Sequence, residues 1–168
     1  DSYTTFSDIF DKVIEDYHQH KKTDKHVSNM DYKKLNCPPL TGADAEMILS
    51  TRIRVGRNLA EFPLGPGVTK AQRDQIEKKV STALTKMTGE LAGTYYSLAT
   101  MTKKDQEQLI ADHFLFKEGD RFLESSGLNR DWPSGRGIFH NKEKQFLVWV
   151  NEEDQLRIIS MQKGPDIL

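Results

Sequence analysis

The sequence predicts an α+β fold, an antiparallel sheet flanked by helices and preceded by a separate helical element. Three observations point there. Apolar residues alternate in period two near residues 46–55 and are dense again at 145–150 and 155–161, the last two runs being separated by four polar residues that suit a hairpin loop. Between the strand-like runs lie stretches with apolar residues every three or four positions, each opened by a capping pair. A polar, aperiodic stretch over residues 18–44 separates the first helical pattern from everything after it.

Each element follows from local chemistry. Phe6, Ile9, Phe10, Val13, Ile14 and Tyr17 form the stripe of an amphipathic helix over Thr5 to Tyr17, with Thr5 and Asp8 as its expected capping pair. Residues 18–44 gather Lys, His, Asn, Pro and Gly, as a solvated connection does, and the domain boundary is expected there. From Glu46 to Val55 a strand is expected, with Met47, Leu49, Thr51, Ile53 and Val55 on an apolar face and Ile48, Ser50, Arg52 and Arg54 on the other. Pro63 to Gly67 reads as a loop. Thr69 and Gln72 cap a helix that buries Ile76, Val80, Ala83, Leu84 and Met87 and stops at Thr88-Gly89. Thr94 to Leu98 reads as a short strand, and Thr102 with Asp105 caps a helix through Leu109, Ile110, His113 and Phe114. The pattern weakens after Gly119 until a short strand at Gly137 to His140. Gln145 to Val150 and Gln155 to Met161 then form a hairpin about Asn151-Glu152-Glu153-Asp154.

Composition narrows the function classes. The 168 residues suffice for one domain or parts of two, and Lys+Arg 24 against Asp+Glu 25 leaves a net charge of -1. No overall basic field exists to hold a nucleic-acid backbone, so no nucleic-acid partner is expected. No apolar run reaches the roughly 18–20 residues of a spanning helix, and the first residues lack a signal-peptide pattern, so no membrane partner is expected. The one cysteine, Cys37, excludes an intrachain disulfide and a four-cysteine zinc site and fits a cytoplasmic location. A start at Asp1 rather than Met, and an end directly after a patterned segment, read as a piece of a longer protein.

Two clusters could carry chemistry. Arg52 and Arg54 stand two apart on a strand, so their guanidinium groups converge, with Arg57 just beyond. Such forks bind phosphate or carboxylate oxygens, while the plainer reading is a solvated basic face paired with acids on a neighbouring strand. Glu152, Glu153 and Asp154 crowd three carboxylates at the hairpin, with Arg157 three residues beyond. They could orient a cationic guanidine or amine, take its proton and meet Mg²⁺, or form only a solvated acidic tip. Together, an acidic turn and an arginine pair supply opposite halves of a phosphoryl-transfer site. P-loop, Rossmann and protein-kinase motifs are absent from the sequence. By sequence alone His113 reads as a half-buried packing residue, His18, His20 and His26 as linker residues, and Cys37 as no nucleophile.

Ser50-Thr51-Arg52-Ile53-Arg54, Asp112-His113-Phe114-Leu115-Phe116, Asp131-Trp132-Pro133, Gly135 to Asn141 and Phe146 to Ser160 together resemble the phosphagen (guanidino) kinases in order and spacing. Lys117 to Leu123 is similar to the invertebrate arginine and lombricine kinase side, whereas Asp131-Trp132-Pro133 is also similar to creatine kinases. The resemblance implies reversible transfer of the ATP γ-phosphoryl group to a guanidino nitrogen, with ATP/ADP carrying Mg²⁺, a small guanidino molecule as partner, and compatibility with a homodimer. Carried over by position, Ser50, Thr51, Arg52, Ile53, Arg54, His113 and Arg157 would bind nucleotide, the arginines on phosphates and His113 at the adenosine. Glu153 would orient the guanidine and act as base, and Glu152 and Asp154 would act through waters around magnesium. The implied organisation is the end of a helical domain at 1–27, a linker at 28–45 and the first part of the catalytic domain at 46–168. Gln155 stands where the family usually has His, which reads as a surface change. The rest of the family's site would lie outside this sequence, so the rival expectation is a catalytically incomplete piece acting as a nucleotide-binding or interaction module, prone to associate through uncovered apolar strands.

Overall fold

The computed structural model describes residues 1–167, which form two compact units divided after Asn36. In the first unit, α1 (Ser2–Thr5) leads into α2 (Ser7–His18). The expected capping pair at Thr5 and Asp8 does not form. The Asp1 carboxylate, one turn earlier, accepts from the Tyr3 N–H at 3.0 Å and starts the helix there, while Thr5 donates its hydroxyl back to the Asp1 carbonyl at 3.1 Å. Phe6 takes the N-cap position of α2 with no side-chain bond, and Gln19 ends α2 in the left-handed conformation, φ 54°. The apolar stripe of α2 is exposed at Ile9, Phe10, Val13 and Tyr17.

The second unit is α+β, as the pattern predicts. A short α3 (Gly42–Glu46) precedes β1 (Ser50–Arg57), then α4 (Lys70–Leu84), β2 (Gly93–Ser97), α5 (Lys103–Ala111), α6 (Arg121–Ser125), β3 (Gly137–Asn141), β4 (Phe146–Val150) and β5 (Leu156–Lys163). The five strands form one sheet in the order β1-β5-β4-β3-β2, antiparallel at every pairing. Both faces of its centre are covered. One carries α4, with Ile76, Val80 and Leu84 against Phe139, Val148 and Val150. The other carries Leu109 and Ile110 of α5 with Leu115 and Phe116, against Ile138, Leu147, Trp149 and Ile159. β4 is therefore buried on both sides, Leu147 to Val150 all being 7% exposed or less, and each such side chain contributes about 1.5–3 kcal/mol.

Several boundaries differ from expectation. The first strand starts at Ser50 because Gly42–Glu46 coils into α3. Its apolar face is uncovered: Ile53 is 48% and Val55 41% exposed, because β1 is an edge strand and α4 packs on β2 and β3. α4 closes at Leu84, leaving Ala83 and Met87 exposed. Its capping box of Thr69 and Gln72 is formed, as is the Thr102 cap of α5. α5 ends at Ala111, so His113 lies beyond it in the left-handed region, φ 63°. α6 has no periodicity to announce it; the Asp120 carboxylate nucleates it by accepting from the Phe122 and Leu123 N–H groups.

Candidate functional site

The acidic hairpin is held at both ends. Asn151 enters the turn in the left-handed conformation, φ 55°, and its N–H donates to the Gln155 carbonyl at 3.1 Å, closing the loop. The buried Asn151 amide donates to the Arg73 carbonyl at 3.2 Å and the Gly135 carbonyl at 2.7 Å, pinning the turn to α4 and to the segment before β3. Gln155 closes the other end. It is 2% exposed rather than on the surface, since its amide is committed to the backbone of Leu59 and Pro63. Both were legible only as polar residues beside the acids; the left-handed turn and their burial arise from tertiary packing.

Arg157 is the hub of the three carboxylates. Its guanidinium reaches Glu152 at 3.0 Å, Glu153 at 2.9 Å and Asp154 at 3.4 Å. Gly56 faces Arg157 across the β1–β5 ladder, and a Cβ there would collide with the Asp154 carboxylate, so glycine makes room for the cluster. Burial pushes the Glu152 carboxyl above its ordinary value against the opposing pull of Arg157. Burial alone would weaken the Arg157 charge, but bonds to Glu153 and its neighbours outweigh it and raise Arg157 above the usual arginine value. Glu153 is the open member, its side chain 51% exposed against 15% for Glu152.

The ladder register sorts the remaining candidates by face. Arg52 pairs with Met161, Arg54 with Ile159 and Gly56 with Arg157, and residues opposite one another share a face. Ser50, Arg52, Arg54 and Arg157 therefore all project on the α5 side of the sheet. Thr51 and Ile53 turn to the α4 side, where Thr51 donates its hydroxyl to the Gly164 carbonyl at 2.7 Å and ties β1 to the end of β5. Among the described residues neither Arg52 nor Arg54 forms an ion pair and both are exposed, so the face is solvated as the plainer reading has it but not paired with acids. Their donors suit an anion with several oxygens such as a polyphosphate.

His113 belongs to the same side. The Trp149 indole N–H donates to the Phe114 carbonyl at 2.8 Å, holding the segment that begins at His113 over β4. The same indole lies 5.9 Å from the Arg157 guanidinium carbon. His113 is exposed rather than half-buried, its left-handed backbone carrying it out of the α5 stripe. Trp149 reads from sequence as a core or rim aromatic, and it is one, 7% exposed; its indole bond to Phe114 depends on tertiary packing. Among the described residues no group of three or more His, Cys, Asp or Glu is placed to hold a metal ion, and no helix is long and apolar enough to cross a membrane.

Residues 75–168 match the family model of the ATP:guanido phosphotransferase C-terminal catalytic domain, which takes in the last two thirds of α4 and everything after it. The chain belongs to this family. An arginine kinase of Anthopleura japonica is 56% identical to this member over 168 residues, covering 99% of this chain and 23% of that protein. Arginine kinase Scy s 2 of Scylla serrata is 52% identical over 99% of this chain and 47% of its own length. Among solved structures, a lombricine kinase superposes with a TM-score of 0.85 at 42% identity, covering 97% of this chain and 45% of that one. The duplicated taurocyamine kinase from Schistosoma mansoni, solved with transition-state analog components, gives a TM-score of 0.80 at 46% identity over 96% of this chain and 23% of that one. This phosphagen kinase chain thus spans between 23% and 47% of the length of these relatives.

Proposed function

We propose that the protein carrying this chain reversibly transfers the γ-phosphoryl group of ATP to a guanidino nitrogen, in the cytoplasm, and so buffers ATP. The observation that carries the reading is the shared face of Arg52, Arg54 and Arg157, with a half-exposed carboxylate, Glu153, bonded to the last of them. In this reading Ser50, Arg52, Arg54 and Arg157 hold the phosphates and His113 lines the adenosine, while Thr51 and Ile53 support the strand from its other face. Glu153 orients the guanidine and takes its proton as the nitrogen lone pair forms the N–P bond and the P–O bond to ADP breaks. Mg²⁺, brought on the nucleotide, supplies charge neutralisation on the phosphates when bound. Glu152 and Asp154, held beside Glu153 by their pairing with Arg157, would act through waters around that Mg²⁺. The names of the relatives make arginine, lombricine and taurocyamine the first acceptors to try. The same reading divides the chain into the end of a helical domain at 1–27, a linker at 28–45 and the first part of the catalytic domain at 46–168.

The test is ³¹P NMR of the full-length protein with MgATP and each of these guanidines in turn. An N-phosphoryl resonance growing with ADP is expected for at least one. ADP binding with no acceptor phosphorylated would instead favour a nucleotide-binding module.

A further inference from the structure

We propose that Gln155 is a positioning residue for the acidic hairpin, its side-chain amide clamping the turn that bears Glu153 to the loop at 58–63. The inference rests on the phosphoryl transfer proposed above and names a residue that touches neither phosphate nor guanidine.

A buried amide must satisfy both of its halves. Gln155 Oε1 accepts from the Leu59 N–H at 2.8 Å, and Nε2 donates to the Pro63 carbonyl at 2.7 Å. Its backbone joins in, the N–H donating to Asn58 Oδ1 at 3.1 Å and the carbonyl accepting from the Asn151 N–H at 3.1 Å. The cavity beside it, which Glu152, Glu153 and Asp154 also line, measures about 10 Å³, room for about one water. The clamp is therefore made by protein groups around a side chain that is itself 2% exposed.

Its reach explains its role. The clamped loop begins one residue after β1 ends at Arg57, and β1 carries Arg52 and Arg54. Glu153 stands two residues before Gln155. The amide thus joins the turn holding the proposed base to the strand holding two of the proposed phosphate ligands. Group transfer is sensitive to misplacement on the scale of 1 Å, so a side chain that fixes this relation acts on turnover without touching substrate. An apolar side chain of similar volume would fill the space and leave the Leu59 N–H and the Pro63 carbonyl unpaired.

The experiment compares Gln155→Met, which keeps volume and loses both bonds, with Gln155→His at pH 8. There a neutral imidazole offers one donor and one acceptor at nearly the spacing of the amide. In the full-length protein, Gln155→Met is expected to lower kcat about 10- to 100-fold with the KM for ATP within about threefold, and Gln155→His to restore kcat to within about threefold of wild type. Wild-type kcat in Gln155→Met overturns the proposal, as does a loss that follows thermal stability equally in both variants. If the wild type phosphorylates no guanidine, the proposed function fails, and amide exchange decides the clamp by itself. Faster exchange at Leu59 with a displaced Arg157 side-chain resonance in Gln155→Met, both reversed in Gln155→His, supports it. Unchanged Leu59 exchange and Arg157 resonance in Gln155→Met overturn it.

Discussion

Arg157 and Glu153 are joined at 2.9 Å, which links the proposed phosphate clamp directly to the proposed base. In the proposed function a phosphate arriving at Arg157 would compete with that bond and free a carboxylate oxygen for the guanidine, so that one residue would answer to the nucleotide and the other act on the acceptor. If the roles are divided in this way, they separate by mutation. Glu153→Gln should lower kcat by about 10²–10⁴. ADP affinity, measured by calorimetry, should stay within about threefold. An equal collapse of both would show that Glu153 shapes the nucleotide site instead.

Glu152 gives a pH signature. Its folded carboxyl lies above the ordinary value of 4.5 because it is buried, so the folded state binds its proton more readily than the unfolded chain. The contribution of Glu152 is therefore most favourable below that value and is lost as pH rises through the raised one. Glu152→Gln removes this dependence. The difference in Tm, variant minus wild type, should grow more positive from pH 4 to pH 8, and a difference that is flat or falls would contradict the buried, penalised carboxylate.

Asn151 serves the hairpin through its side chain and through its backbone, and two substitutions tell these apart. Asn151→Gly keeps the left-handed turn accessible but removes the donor to the Gly135 carbonyl and a second bond to the Arg73 carbonyl, which α4 also bonds, a cost of about 1–3 kcal/mol. Asn151→Ala should lose about 1–2 kcal/mol more, because a Cβ disfavours the positive φ. Urea unfolding of both variants measures the two contributions, and equal midpoints would mean that the turn carries no conformational strain.

The two faces of β1 should behave independently. Val55 pairs with Ile158 on the α4 side and is 41% exposed, away from Arg52 and Arg54. Val55→Lys should reduce concentration-dependent association, read by light scattering, while ADP affinity stays within about twofold. A fall in ADP affinity comparable to that of Arg54→Ala would mean that the faces are not separate.

Much of the fold was legible in local chemistry. The capping residues Thr69 and Thr102, the dense β-prone runs of β4 and β5 and the polar turn between them rest on contacts within a few residues, and all appear in the structure. The errors have two causes. Glu46 to Leu49 carry a strand-like pattern but lie outside the ladder, and the apolar face of β1 lacks a cover; both depend on what packs against the segment, which periodicity does not encode. α6 starts from a local carboxylate cap rather than a stripe, which an apolar period does not register.

The candidate site divides along the same line. The sequence by itself determined which chemistry is present: paired arginines on a strand, three carboxylates in a turn with an arginine behind them, and motifs in the order of a guanidino kinase. Only the tertiary structure decided that Arg157 gathers all three acids, that Arg52 and Arg54 share its face without an ion pair among the described residues, and that Gln155 is buried in a clamp. The physical reason is distance along the chain. Gln155 meets Leu59 and Pro63, and Gly56 faces Arg157, across some ninety to a hundred residues, and that proximity exists only once β1 and β5 have paired.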